Sequence, residues 1–444
     1  MQQTTTSWNP SDAMAATPDA LAPIYRKISL RVLPFLLLCY VFAYLDRVNI
    51  GFAKLQMQQD VGISDAVYGL GAGIFFLGYV MFEVPSNLLL ARIGARKTIS
   101  RIMVLWGATS ACMLFVRDAH SFYALRFLLG VFEAGFAPGM IFYLTYWYGG
   151  ARMARVMAIV MLAGPIGGMA GGPVSTWIMT ALAGSHGLAG WQWMFLIEGL
   201  PCVLLGVVAY FFLDDTPAQA RWLSDHERRL LAHDIGAARA GGGHHSFATV
   251  LRDPRIYALA FGYFCLISGI YAVSFWLPTI LKGAGVTSTM AIGMYSALPY
   301  VAAAILMFLA ARSSDRHQER RWHSATLAFV GAATLAVAAF TADNLTLSLL
   351  SITVATAAMW AAYTVFWAIP SEYLQGTAAA GGIALINSLG LLGGFVSPTL
   401  IGAVKDLTGS LEGGLLAMVA LLAAGGLAIL LNRLPKDRAA AAVR

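Results

Sequence analysis

From Leu33 onward the chain alternates long apolar runs with short clusters of charge. A helix that crosses a bilayer needs about 20 mostly apolar residues. Twelve stretches meet that requirement: 31–53, 66–91, 98–117, 121–148, 155–183, 192–213, 256–281, 289–311, 323–341, 345–369, 375–404 and 413–432. The pattern predicts an all-α integral membrane protein of twelve transmembrane helices. Only one polar interruption is long. It lies between about 214 and 252, carries Gly241, Gly242 and Gly243, and includes the helical-looking run Ser224-Asp225-His226-Glu227-Arg228-Arg229. The expected organisation is a polar tail (1–28), a six-helix bundle (29–213), a linker (214–252), a second six-helix bundle (253–433) and a short tail (434–444).

Internal echoes make the two bundles pseudo-symmetric. Span 5 reads Gly164-Pro165-Ile166-Gly167-Gly168, and span 11, its counterpart, reads Gly390-Leu391-Leu392-Gly393-Gly394. Phe275-Trp276-Leu277-Pro278 of span 7 is echoed by Phe366-Trp367-Ala368-Ile369-Pro370 of span 10. Glycines in such helices let backbones approach closely.

Composition agrees with the pattern. The 444 residues are 59% hydrophobic and 11% charged, against roughly 25% charged in a soluble protein. The net charge of +7 reflects topology, not nucleic-acid binding. Of the 29 basic residues, 23 fall in the segments that become cytoplasmic if the N-terminus is inside, and four (Lys54, Arg117, Lys282 and Lys405) fall opposite. This bias places both termini in the cytoplasm. No short apolar stretch follows a basic start, so a cleavable signal peptide is not expected. The four cysteines are dispersed through apolar segments and read as small buried hydrophobes.

Ionisable residues inside membrane helices are costly, persisting where they pair or line a watery cavity. Asp46 and Arg47 sit in span 1; Arg126 and Glu133 sit in span 4, seven apart and therefore on one face. Two acids and two arginines at middle depth form a net-neutral set. An arginine fork suits a carboxylate ligand. An acid beside it can exchange a proton as the arginine is occupied or freed, so proton and anion bias one shared equilibrium. The same residues would equally serve as buried salt bridges fixing span 1 against span 4. Tyr44, Tyr79, Tyr271, Ser274, Tyr363, Trp367 and Asn387 are candidates to complete a cavity, and ordinary packing is the alternative for each. Glu83, Glu198 and Glu372 read as structural or gating groups.

Other chemistries lack their apparatus. All eight histidines fall in loops or at helix ends, so no intramembrane metal site is expected. There is no GxxxxGK[ST] loop, no HExxH and no GxSxG, so neither ATP-driven transport nor hydrolysis is indicated. No cofactor is expected, and the protein reads as a carrier, not an enzyme.

Several motifs resemble one family. Tyr44-Leu45-Asp46-Arg47-Val48-Asn49, Phe82-Glu83-Val84-Pro85-Ser86-Asn87, Arg126 through Gly135, Phe195-Leu196-Ile197-Glu198-Gly199 and Ser274-Phe275-Trp276-Leu277-Pro278 are similar to the anion:cation symporter family of the major facilitator superfamily. The likeness runs from about Tyr25 to Arg433. The loop Asn87 to Lys97, with Arg92 and Arg96, resembles the superfamily's basic gating motif, but Ala91 stands where an aspartate is usual. Its counterpart after span 8 keeps the acid, with Asp315 and Arg316. The resemblance implies inward symport of an organic anion with a proton by alternating access, driven by the proton gradient. It implies proton carriage by Asp46 and Glu133, carboxylate contact by Arg47, and tuning by Arg126. Phe366 to Pro370, Gly376 to Ala380 and Gly382 to Ser388 look like bacterial tartrate-type transporters, which implies a hydroxy acid substrate, a bacterial inner membrane and action as a monomer. An anion exchanger is the rival; a membrane receptor for an anion is a more distant one, since the linker is too short for a signalling domain.

Overall fold

A computed structural model describes residues 18–239, 251–374 and 377–432. Among these the fold is all helical, and twelve helical segments are long and apolar enough to cross a membrane. The first half comprises α1 (Pro18–Val61), α2 (Asp65–Ile93), α3 (Ala95–Cys112), α4 (Ala119–Glu133), α5 (Phe136–Leu144), α6 (Gly150–Met161), α7 (Ala163–Ala181) and α8 (Gly190–Phe212). The connector helix is α9 (Asp225–Arg239). The second half comprises α10 (Pro254–Gly283), α11 (Thr289–His317), α12 (Arg321–Phe340), α13 (Leu345–Phe366), α14 (Ala368–Tyr373), α15 (Thr377–Thr408) and α16 (Glu412–Leu431).

Three spans are each built from two helices. In the fourth, α4 ends at Glu133 and the chain turns through Gly135 at φ 84°, in the left-handed region that glycine tolerates. A Cβ there would also stand 2.7 Å from Ser86. The tenth breaks at Trp367, three residues before Pro370, whose missing N–H cannot continue the helical ladder. The fifth breaks at Leu162, three residues before Pro165.

Several expected boundaries move, and α11 runs on to His317, so Asp315 and Arg316, expected to follow span 8, are helical. The first helix begins at Pro18, so the tail expected over 1–28 is helical from there. It also continues past 53 to Val61, which brings Lys54 inside the helix. The expectations for residues 1–17, the Gly241–His245 stretch, Gly376 and the tail from Arg433 lie outside the described residues.

The halves meet along α2 and α15, α7 and α11, and α1 and α10. The first two contacts are equivalent under exchange of the halves, since spans 2 and 11 correspond to spans 8 and 5. We call the end carrying α9 the linker face and the opposite end the far face. Towards the far face the halves touch through backbone. A Cβ on Gly69 would lie 2.2 Å from the Pro398 carbonyl, and one on Gly172 2.5 Å from that of Gly293. At the linker face α9 is moored to the first half: Tyr25 donates to Asp234 at 2.6 Å, Arg152 pairs with Asp234 at 3.0 Å, and Lys27 pairs with Glu227 at 3.1 Å.

Within the first half, α4 presses onto α2 so closely that a Cβ on Gly130 would lie 1.9 Å from the Phe75 carbonyl. Gly130→Ala is therefore expected to lower stability by about 1–3 kcal/mol, the usual cost of overpacking. Thermal unfolding in detergent measures it; an unchanged midpoint would mean the two helices are looser than described.

Candidate functional site

The cavity between the halves is built from three helical stripes. On α1, Tyr40, Tyr44 and Arg47 follow at intervals of four and three; on α10, Tyr263, Ile267, Ile270 and Tyr271 do the same; on α13, Trp360 and Tyr363 complete the wall. Phe76 and Tyr79 of α2, and Asn387 and Leu391 of α15, close the sides. The space is about 60 Å³, room for several waters. Arg47 is the only charged side chain among its lining residues.

Arg47 spans the interface. One terminal nitrogen donates to the Tyr271 hydroxyl at 2.9 Å, and the other forms a buried ion pair with Glu133. Its guanidinium lies 5.5 Å from the Tyr44 ring, 5.4 Å from Phe75 and 5.7 Å from Tyr79. The arrangement is not saturated. Arg47 Nε, Glu133 Oε2 and the Trp360 indole N–H are buried without a hydrogen-bond partner. Two of those are donors, able to bond an incoming acceptor; the third is a carboxylate oxygen with room for a proton.

The expected set of two acids and two arginines is divided. Adjacent helical residues point about 100° apart, so while Arg47 faces the cavity, Asp46 turns into the first half. There it accepts from the Trp106 indole at 2.7 Å, from the Ser110 hydroxyl, and from Asn49 at 3.2 Å. Arg126 is 0% exposed and spends its donors on the α2 carbonyls of Gly71 (3.2 Å) and Ala72 (3.3 Å). Both guanidiniums lie against the Phe75 ring, Arg47 at 5.4 Å and Arg126 at 5.1 Å.

Of the residues expected to complete the cavity, Tyr44, Tyr79, Tyr271, Tyr363 and Asn387 line it beside Arg47. Three expected substrate contacts do not. Arg126 is held by α2; Ser274 donates to the Ile270 carbonyl and accepts from Tyr300; Trp367 packs edge-on against Tyr263. Tyr40, Tyr263 and Trp360 line the wall and were not anticipated. Their signal is positional: Tyr40 and Trp360 sit one helical turn from Tyr44 and Tyr363, and Tyr263 sits two turns from Tyr271.

Glu83, read as structural or gating, ties the halves together. It accepts from Asn387 at 2.8 Å and from Ser388 at 3.1 Å, both on α15. Of the expected gating residues, Arg92 and Arg316 are exposed, while Asp315 pairs with Arg320 at 2.6 Å, which also reaches Glu372 at 3.1 Å. Arg96 lies over Tyr210 at 5.1 Å, and its backbone N–H donates to Asp215 at 2.8 Å. Asp215 thus caps the N-terminus of α3, supplying a carboxylate beside the end of α2, where Ala91 supplies none.

At the far face, Lys54 is 2% exposed. It pairs with Asp65 at 2.5 Å, donates to Thr279 at 3.3 Å, and rests 3.8 Å from the Trp276 ring. Lys405 of the second half reaches the other oxygen of Asp65 at 3.1 Å.

The comparisons with known proteins agree with this architecture. The chain is 48% identical over 408 residues to a protein of Agrobacterium vitis named for tartrate transport, covering 91% of this chain and 90% of the relative. It is 46% identical over 389 residues to the metabolite transport protein NicT of Pseudomonas putida, covering 87% and 89%. It is 37% identical over 412 residues to the inner membrane transport protein RhmT of Escherichia coli, covering 92% and 95%. Among solved structures, a bacterial homologue of the human lysosomal transporter Spinster superposes with a TM-score of 0.74 at 17% identity, covering 92% of this chain and 97% of that one. The xylose transporter XylE of E. coli gives 0.70 at 15%, covering 90% and 96%. The family model described as Major Facilitator Superfamily matches residues 36–398, and the chain belongs to that superfamily: it is a multi-pass membrane transporter, not an enzyme.

Proposed function

We propose that this transporter is a proton-coupled symporter that imports a small hydroxylated carboxylate, tartrate or a close analogue, by alternating access. The observation that carries the reading is the Arg47–Glu133 pair, with Arg47 the one charge on the cavity wall. Such a cavity favours an anion. Substrate carboxylate and Glu133 compete for one guanidinium. When Glu133 takes a proton, Arg47 is released to the substrate; when the substrate leaves, Glu133 loses its proton and Arg47 is reclaimed. Proton and anion therefore load together. The tyrosine hydroxyls and the Asn387 amide suit a hydroxylated ligand, and the relative named for tartrate supports that class. The concentration of arginine and lysine on the linker face supports assigning that face to the cytoplasmic side of a bacterial inner membrane. Rocking of the halves alternates access.

Purified protein in liposomes tests this. An acidic exterior is expected to drive accumulation of labelled tartrate. Glu133→Gln, fixed in the neutral form, is expected to lose pH-driven accumulation and to keep counterflow exchange of substrate. Accumulation that ignores external pH in the wild type would reject proton coupling.

A further inference from the structure

Behind Arg47, in the interior of the first half, lies a second pair of acids that the cavity does not use. Asp46 on α1 is 1% exposed and Glu198 on α8 is 2% exposed. One amide joins them: the Asn49 Nδ2 group donates to Asp46 at 3.2 Å and to Glu198 at 2.9 Å. Glu198's other oxygen accepts from Ser175 on α7 at 2.7 Å. The five hydrogen bonds described to these two carboxylates all come from neutral groups: an indole, two hydroxyls and the shared amide. Arg47 and Arg126 spend their hydrogen bonds elsewhere, on Glu133, Tyr271 and the α2 carbonyls.

Two buried anions facing each other across one neutral amide are costly, because burial of a charge demands a compensating partner. The donors are unevenly shared. Asp46 receives three, from Trp106, Ser110 and Asn49, as suits the ionised form. Glu198 receives two. One of these, the Ser175 hydroxyl, can reverse and accept a proton donated by Glu198; the Asn49 NH₂ cannot. The groups that face Glu198 from its neighbours are Asp46 and Asn49 on α1 and Ser175 on α7. Ser110 and Trp106 on α3 address Asp46, and Arg126 on α4 acts on Asp46 through space. On α8 itself, the Cys202 thiol donates to the Glu198 carbonyl at 3.5 Å.

We propose that Glu198 and Asp46 form a second proton-binding site, one proton shared between two carboxylates across Asn49 and residing on Glu198, separate from the Arg47–Glu133 pair. Its use in the transport cycle rests on the symport reading; its existence does not. Because Asn49 touches both acids, a change at Asp46 as α1 moves reaches Glu198 without any group entering the cavity.

Infrared difference spectroscopy of the purified carrier in lipid, titrated with acid and base, reads the site directly. The expected result is a protonated-carboxyl band at neutral pH that is absent in Glu198→Gln, retained in Glu133→Gln and altered in Asp46→Asn. Ser175→Ala provides a second route: it removes the reversible hydroxyl while leaving the acid, and should displace the same band. A neutral-pH band that survives in Glu198→Gln, or no such band in the wild type, overturns the proposal. Substrate uptake under a pH gradient is scored separately. Failure of uptake to follow pH would reject symport, and the infrared band would still decide the site.

Discussion

Arg47→Ala is expected to abolish substrate uptake and to destabilise the protein by about 3–5 kcal/mol, the penalty for leaving one member of a buried ion pair without its partner. Glu133 is enclosed, with one oxygen on Arg47 and the other on nothing. Removing the guanidinium strands that carboxylate. Adding Glu133→Gln to Arg47→Ala removes the stranded charge and should restore most of the stability and none of the uptake. The stability cycle thus isolates the pair from general packing damage, while uptake reports the lost anion contact. A single mutant that unfolds no earlier than the wild type would show that Glu133 is already neutral at rest. The competition proposed for Arg47 would then have no charge to exchange.

The second large effect is expected at the far face. Asp65 is the shared counter-ion of Lys54 and Lys405, and these two cations come from opposite halves. Asp65→Asn removes the carboxylate that both cations contact, leaving Asp406, which accepts from the Asp65 backbone N–H at 3.0 Å, as the remaining acid of the cluster. Lys54 is buried and Asp65 is partly exposed, so the loss falls at the lower end of the roughly 2–5 kcal/mol for truncating one member of a buried charge pair. Spent on a conformational equilibrium, 2 kcal/mol changes a population ratio about thirtyfold. The reporter is Ser296→Cys, 1% exposed on α11 beside Gly172, in a chain whose Cys112 is replaced by alanine. Its labelling by a membrane-impermeant maleimide is expected to quicken at least tenfold in Asp65→Asn and to stay slow in Asp65→Glu. Equal rates in all three would show that the ion cluster does not hold this end shut.

Lys54 also shows what could be read in advance and what could not. The twelve spans were legible because lipid imposes one demand, about 20 apolar residues at a time, and a charged residue at the end of such a run looks like its boundary. Lys54 stays within the helix because Asp65 at the start of α2 and Trp276 of α10 meet it there, the second of them more than two hundred residues away in sequence. The beginning of α1 was missed for a related reason: the stretch from Pro18 is too polar to span, yet Tyr25 and Lys27 are held by the distant α9.

At the candidate site, residue type was legible and direction was not. Asp46 and Arg47 are neighbours, and only the partners met in the folded bundle, Trp106 and Ser110 of α3 for the acid and Glu133 and Tyr271 for the arginine, decide which way each faces. Arg126 and Glu133 share a face, as their spacing requires, but the carbonyls of Gly71 and Ala72 take up Arg126 before it can reach the cavity. The aromatic wall was half legible. Tyr44, Tyr271 and Tyr363 stood out singly, whereas reading the same helices one or two turns further adds Tyr40, Trp360 and Tyr263.

The mooring of α9 bears on how far the halves can swing. Since Asp234 and Glu227 are tied to residues of the first half, the connector travels with that half as freight. Only the thirteen residues 240–252 then bridge to Asp253. Thirteen residues can reach at most roughly 45 Å. With the connector fixed to one half, the amplitude of the stroke is set by the glycine crossings where α2 meets α15 and α7 meets α11, where backbone already lies against backbone.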